Sequence, residues 1–334
     1  MLDPAEFETM FQGWISDSGC ASAAVMPLTR KNTASLSVLE FPPDSAPEYL
    51  LKSWDLRRDP LKAYPFAKSL IAAALPFHSL PQLSKLPVSD FDLFNGIIAG
   101  YAGMLDYHIA GREAMSSLAE AITKKLSSPL RYEICIDTTP LAERNLAGLS
   151  GLGRRGYNDC ILCQNEGSGC YLSFLLLDIE LPAFIPEEIF PPCPECKRCI
   201  QSCPNAVLGG KHFKIEKCIS YLSMEKRGKL RPEEAALLGE NIFGCSKCTA
   251  ICPGTKMPDD LKVDLEWLLL SSAGEIRKAI KGSPAEYAGT SLLRRNALYV
   301  LKYRNNTRCT DLIKRFQKQS GSDLLKEIAA GLID

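Results

Sequence analysis

Apolar positions in the first half of the chain follow two different periods. Phe7, Met10, Phe11 and Trp14 recur at three- and four-residue steps, which puts them on one face of a helix. Met115, Leu118, Ala119, Ile122 and Leu126 draw a second helical stripe between Arg112 and Leu126. CASAAVMPL (20–28) and SLIAAALPF (69–77) are short apolar runs of strand length. YEICI (132–136) alternates, and CYLSFLLLDIEL (170–181) is apolar throughout. Each of the four reads as a strand, so the pattern predicts an α+β core of about 180 residues. LPAFIPEEIFPPCP (181–194) then breaks all periodicity with repeated proline. Beyond a cysteine-dense stretch, TSLLRRNALYVLKYRNN, CTDLIKRFQKQ and SDLLKEIAAGLI return to helical spacing. They amount to a fragment of an antiparallel helical repeat, too short to stand alone, so they must lean on a neighbouring core. The boundaries fall at 1–182, 183–262 and 263–334.

Composition narrows the class. The chain has 334 residues, with Lys+Arg 39 against Asp+Glu 39, so no overall field draws it to nucleic acid or membrane. The N-terminus lacks a basic segment followed by an apolar run, and no window is long and apolar enough for a membrane span. The expectation is a cytoplasmic protein without membrane contact. In a reducing compartment its 14 cysteines are thiols or metal ligands rather than disulfides.

Eight of the cysteines fall between 193 and 252. Cys193, Cys196, Cys199 and Cys203 match C-x₂-C-x₂-C-x₃-C-P, the spacing of bacterial ferredoxins. Three close thiolates wrap one face of a 4Fe–4S cube, and the fourth serves a second cluster. CSKCTAICP (245–253) repeats the run with Ile242 where its first cysteine would fall, and Cys218 is the substitute. The count then closes on two clusters: Cys193, Cys196, Cys199 and Cys252 for one, and Cys203, Cys218, Cys245 and Cys248 for the other. Structural zinc is the alternative, but zinc favours two separated C-x₂-C knuckles per ion. Cys160, Cys163 and Cys170 form a looser group and read as buried core thiols.

Taken in order, CPECKRCIQSCPNAVL, KCISYLSMEKRGKL and GENIFGCSKCTAICP resemble the iron–sulfur region of the epoxyqueuosine reductase family. DYH (106–108), IDTTPLAER (136–144) and SPAEYAGTSLLRRNALYVL extend the resemblance from about Arg57 to the C-terminal helices. It implies a nitroreductase-like cobalamin-binding domain, a ferredoxin-like two-cluster domain and a short HEAT-like helical tail. It also implies two 4Fe–4S clusters, a cobalamin cofactor, and a tRNA anticodon stem-loop carrying epoxyqueuosine as substrate. The reaction removes the epoxide oxygen to give queuosine and needs two electrons and two protons, so a low-potential donor such as ferredoxin or flavodoxin is expected. By the same resemblance Asp137 is the proton donor, its acidity weakened beside an apolar corrin; on its own sequence context it reads as a turn cap. Arg57, Ile161, Leu172 and Ser220 are the implied cobalamin contacts.

Other features pull in different directions. DYHIAG also fits D-x-H-x-x-G, by which a different cobalamin fold supplies a histidine to cobalt, but the remaining elements of that motif are missing. His108 is as readily a packed residue as a ligand. Arg294, Arg295, Lys302, Arg304, Arg308, Lys314, Arg315 and Lys318 could form a basic stripe that tracks phosphates, or a solvated helix face. The family reads close to AGLGWIGKN where this chain has SGLGRRGYN (150–158), so Arg154 and Tyr157 replace a tryptophan and a lysine. That change, set beside the catalytic pocket, puts substrate identity in question. The alternatives are a corrinoid iron–sulfur reductase with a small-molecule substrate, and a corrinoid-activating electron carrier with no substrate of its own.

Overall fold

A computed structural model describes residues 3–38, 47–163, 165–186, 193–210 and 213–333. Residues 187–192 of the proline-rich stretch lie outside the described residues. Nine strands are present among the described residues: β1 (Ser22–Pro27), β2 (Ser69–Pro76), β3 (Asn95–Ile98), β4 (Tyr132–Cys135), β5 (Arg154–Arg155), β6 (Ile161–Leu162), β7 (Cys170–Leu177), β8 (Asn241–Phe243) and β9 (Leu261–Asp264). The chain forms two compact units that are not contiguous in sequence. One holds residues 1–80, 107–202 and 248–256; the other holds 81–106, 203–247 and 257–334.

The first unit is built on an antiparallel sheet of order β1-β2-β7-β4. Successive side chains of a strand point to opposite faces, and here both faces are covered. Ala23, Val25, Ile71, Ala73, Leu175 and Leu177 pack with Phe7, Phe11, Met115 and Leu118 from helices Pro4–Asp17 and Tyr107–Leu126. Ala24, Leu70, Ala72, Phe174 and Leu176 face a second core with Leu141, Leu146 and Ile161. Double burial is why these strands read as unbroken apolar runs. The long helix comes close to the sheet at Gly111, where a Cβ would meet the Ser173 Oγ at 2.4 Å. The glycine of DYHIAG is therefore a packing residue.

The second unit has a three-stranded sheet, β8-β3-β9, with β3 parallel to β8 and antiparallel to β9. Helices Gly289–Tyr303, Thr307–Gln319 and Asp323–Ile333 share a single apolar core with this sheet. The three tail helices thus lean on the core of this second unit rather than on the α+β core of the first. No helix among the described residues is long and apolar enough to cross a membrane.

Candidate functional site

Asp137 follows β4 in a tight turn closed by the Thr138 N–H on the Ile136 carbonyl, and its φ of 54° lies in the left-handed region. A non-glycine residue held there marks a backbone that its surroundings over-determine. Three contacts in the first unit do so. The Asp137 N–H donates to Glu143 Oε1 at 2.6 Å. The Tyr107 hydroxyl donates to Asp137 Oδ2 at 2.9 Å, and His108 Nε2 lies 4.0 Å from the same oxygen. The Asp137 side chain nonetheless remains 64% exposed, open to a partner from outside the chain.

The surroundings of Asp137 are aromatic on one side and acidic on the other. Tyr107 stacks on Tyr171 with centroids 4.1 Å apart, and Tyr171 meets Phe77 edge-on at 4.3 Å. Burial first, and the Asp137 charge second, push the Tyr107 phenol well above its ordinary range, so it stays a donor. Glu143 is half-buried, and burial with the Asp137 charge pushes its carboxyl up to about 8. Arg57 donates from Nη1 to the Leu141 carbonyl at 2.7 Å and from Nε to Ser53 at 2.9 Å. It braces the loop that carries Asp137 and Glu143. Sequence reasoning identified Asp137 but missed Tyr107 and Glu143 as its partners, although both lie inside the quoted DYH and IDTTPLAER segments.

Of the other expected cofactor contacts, Ile161 sits on β6 at 4% exposure and Leu172 on β7, both packed in the second core of the first unit. Ser220 belongs to the second unit, where its hydroxyl donates to the Cys245 carbonyl. The four residues are thus not gathered within one unit.

Cys193, Cys196, Cys199 and Cys252 line one cavity of about 340 Å³ in the first unit, together with Tyr157, Asn158, Leu162, Lys197, Arg198 and Pro253. This is the set of four that the spacing assigned to one cluster. The Tyr157 N–H points at Cys193 Sγ, 3.4 Å away, as backbone amides do toward thiolate sulfur. Asn158 Nδ2 donates to the Cys248 carbonyl and to Ser168 Oγ. The altered 150–158 loop therefore borders the cysteine cavity through Tyr157 and Asn158, so its changes bear on the cluster environment. Cys203, Cys218 and Cys245 lie in the second unit and Cys248 in the first. Burial pushes the thiols of Cys199, Cys218 and Cys245 up, a cost that metal coordination removes by deprotonating them outright. Among the described residues, no His, Cys, Asp or Glu trio converges tightly enough for a single ion. Cys163 is instead buried, and Cys170 partly buried, among core side chains.

The fold withdraws part of the basic stripe into the scaffold. Arg295 is 2% exposed and donates to the carbonyls of Leu222, Lys226 and Gly228 and to Asn296 Oδ1. Asn296 donates in turn to the carbonyls of Ser223 and Ile242. These two residues tie helix Gly289–Tyr303 to the segments that carry Cys218 and Cys245. Arg294 bonds the carbonyls of Leu268 and Ser271, Arg304 pairs with Glu240, and Arg315 pairs with Glu266. Arg308 lies over the rings of Phe91 and Phe94. Lys302, Arg308, Lys314, Arg315 and Lys318 remain exposed, so the run is part scaffold and part surface.

Comparison with known proteins agrees with this geometry. Residues 192–255 match the family model of a 4Fe-4S double cluster binding domain, and residues 57–138 match that of "Epoxyqueuosine reductase QueG, DUF1730". The epoxyqueuosine reductase of Vibrio cholerae is 30% identical over 298 residues, 84% of this chain and 78% of the relative. That of Aliivibrio fischeri is 30% identical over 243 residues, 72% of this chain but 64% of the relative, just under two thirds of its length. A crystal structure of epoxyqueuosine reductase with an epoxyqueuosine-modified tRNA-Tyr stem loop aligns over 99% of this chain and 90% of that one, with a TM-score of 0.79 and 22% identity. The fold is the same, with mixed helix and strand and a double-cluster domain that holds two 4Fe–4S clusters. With a relative matched at this identity over more than three quarters of its length, the chain belongs to the epoxyqueuosine reductase family.

Proposed function

We propose that this protein reduces epoxyqueuosine in a tRNA anticodon stem-loop to queuosine, with residues 1–182 as a nitroreductase-like cobalamin domain, 183–262 as the cluster domain and 263–334 as a HEAT-like segment. The observation that carries the reading is Asp137: a carboxylate fixed in a left-handed turn by Tyr107 and Glu143, yet open to a substrate. Reduction of the epoxide to an alkene breaks two C–O bonds, takes up two electrons and two protons, and releases water. Asp137 is placed to pass a proton to the departing oxygen, and the Tyr107 O–H holds its carboxylate in one orientation. Glu143, its carboxyl pushed up by burial and by the Asp137 charge, lies within the same turn.

Four cysteines around one cavity are the donor set for a 4Fe–4S cluster, with Cys193, Cys196, Cys199 and Cys252 holding the first. Cys203, Cys218, Cys245 and Cys248 would hold the second. Beside Asp137, the wall of Phe77, Tyr171 and Tyr107 suits the flat, largely apolar face of a corrin, with Arg57 as a further contact. Cobalamin, when bound, would supply a metal able to reach a strongly reducing state. The chain's own residues exclude water with the aromatic wall, orient Asp137 and supply protons. Anaerobic reconstitution with cobalamin and a reductant, followed by nucleoside analysis of tRNA from a strain lacking the gene, tests the reading. Queuosine should replace epoxyqueuosine; cobalamin bound tightly with the epoxide left intact would overturn it.

A further inference from the structure

Positive charge collects around the mouth of the cysteine cavity. Lys197 and Arg198 line it alongside the four cysteines, and both are exposed. Tyr157, 44% exposed, lines the same cavity. Just before it in the chain, Arg154 and Arg155 form β5, whose partner strand β6 contains Leu162, another lining residue. Arg155 and Arg144 both pair with Asp159, a single carboxylate shared by two guanidinium groups. Arg154, Lys197 and Arg198 make no ion pair among the described residues. Exposed cations without an ion pair thus gather at this mouth on a chain whose total charge is zero. Near them Ile185, 65% exposed, lies over Gly151 and adds apolar surface. None of these side chains is used by the acid–base chemistry at Asp137.

We propose that this rim is the docking surface for a small acidic, low-potential one-electron carrier protein that reduces the first cluster. The proposal rests on the cluster reading of the four cysteines. In each encounter the reduced carrier gives up one electron and [4Fe–4S]²⁺ becomes [4Fe–4S]⁺, with no bond made or broken. Two encounters supply the two electrons of one turnover. Apolar residues beside a ring of like charge are the anatomy of a steered protein interface.

Stopped-flow bleaching of cluster absorbance by reduced flavodoxin tests the surface, with the reconstituted full chain and its Arg154→Glu/Arg198→Glu variant. The milder Arg154→Gln/Arg198→Gln pair serves as a second variant, and reduction by dithionite and iron content serve as controls. At low salt the charge reversal should slow reduction by flavodoxin about 10- to 100-fold and flatten its salt dependence. Excess dithionite should still bleach the cluster to the same final extent in both variants. An unaltered flavodoxin rate and salt slope in both variants would overturn the proposal. So would loss of tRNA stem-loop binding with normal reduction, which would assign the rim to RNA. Failure of dithionite to bleach even the parent protein would instead remove the cluster reading beneath it.

Discussion

Replacing Asp137 by asparagine separates proton supply from architecture. Asparagine tolerates the left-handed φ of 54°, its Oδ1 can still accept from Tyr107, and the backbone bond to Glu143 does not involve the side chain. Folding stability should therefore change by less than about 0.5 kcal/mol. What disappears is the transferable proton. A positioned general acid contributes roughly 10²- to 10⁴-fold, which is about 3–5 kcal/mol at about 1.4 kcal/mol per tenfold. Asp137→Ala should add a structural loss of about 2–3 kcal/mol, from alanine forced into left-handed backbone and a Tyr107 hydroxyl without its acceptor. The assay is anaerobic single turnover on epoxyqueuosine tRNA with saturating reductant, read by nucleoside mass spectrometry, alongside chemical unfolding of each variant. The asparagine variant should bind tRNA and cofactors normally and lose at least a hundredfold in rate. Turnover within about tenfold of the parent would remove Asp137 from the proton path.

Three further outcomes are expected. Glu143 holds its proton up to about pH 8 in the folded chain but only to its ordinary range when unfolded, so the native state binds the extra proton between those values and stability falls as pH rises through that window. Glu143→Gln keeps an acceptor for the Asp137 N–H and should flatten this slope in urea titrations across the window; a slope identical to the parent's would refute it. Arg295→Met strands the buried carbonyls of Leu222, Lys226 and Gly228 and should cost about 3–5 kcal/mol in unfolding experiments. It should also loosen the second cluster while leaving tRNA affinity unchanged, whereas a stable variant with weakened tRNA binding would restore the phosphate-tracking role. Cys252→Ser should remove about half the iron and one of two EPR signals after reduction, and full iron retention would show that another side chain ligates the first cluster.

Strands were legible where burial on both faces left no polar interruption, as in SLIAAALP, every residue of which is buried. Which face each residue would take was not, because unbroken apolar runs carry no alternation to read. The cysteine set around the cavity could be counted from spacing alone, since cluster ligation constrains sequence directly. Asp137 was visible through resemblance, but its hold on Tyr107 spans 30 positions and depends on how the long helix packs, which local pattern does not encode. Arg295 misled because sequence displays charge and hides burial. The loop at 150–158 was placed beside the catalytic pocket by resemblance; that Tyr157 and Asn158 border the cysteine cavity was not legible in the chain. A linear reading also has no signal for a short segment such as 248–256 rejoining residues far upstream.

That last segment bears on how the protein is made. The stretch carrying Cys248 and Cys252 leaves the ribosome long after the rest of the first unit, and synthesis proceeds at about 5–20 residues per second. Until it emerges, Cys193, Cys196 and Cys199 stand without their fourth partner as exposed thiols able to capture iron or oxidise. The first cluster can be completed only after the two earlier segments of the second unit, 81–106 and 203–247, have also been synthesised. A nascent chain stalled before residue 248 would be a protein with an α+β core and an unfinished metal site, and the cell's iron–sulfur assembly machinery can complete that site only on a chain synthesised past residue 252.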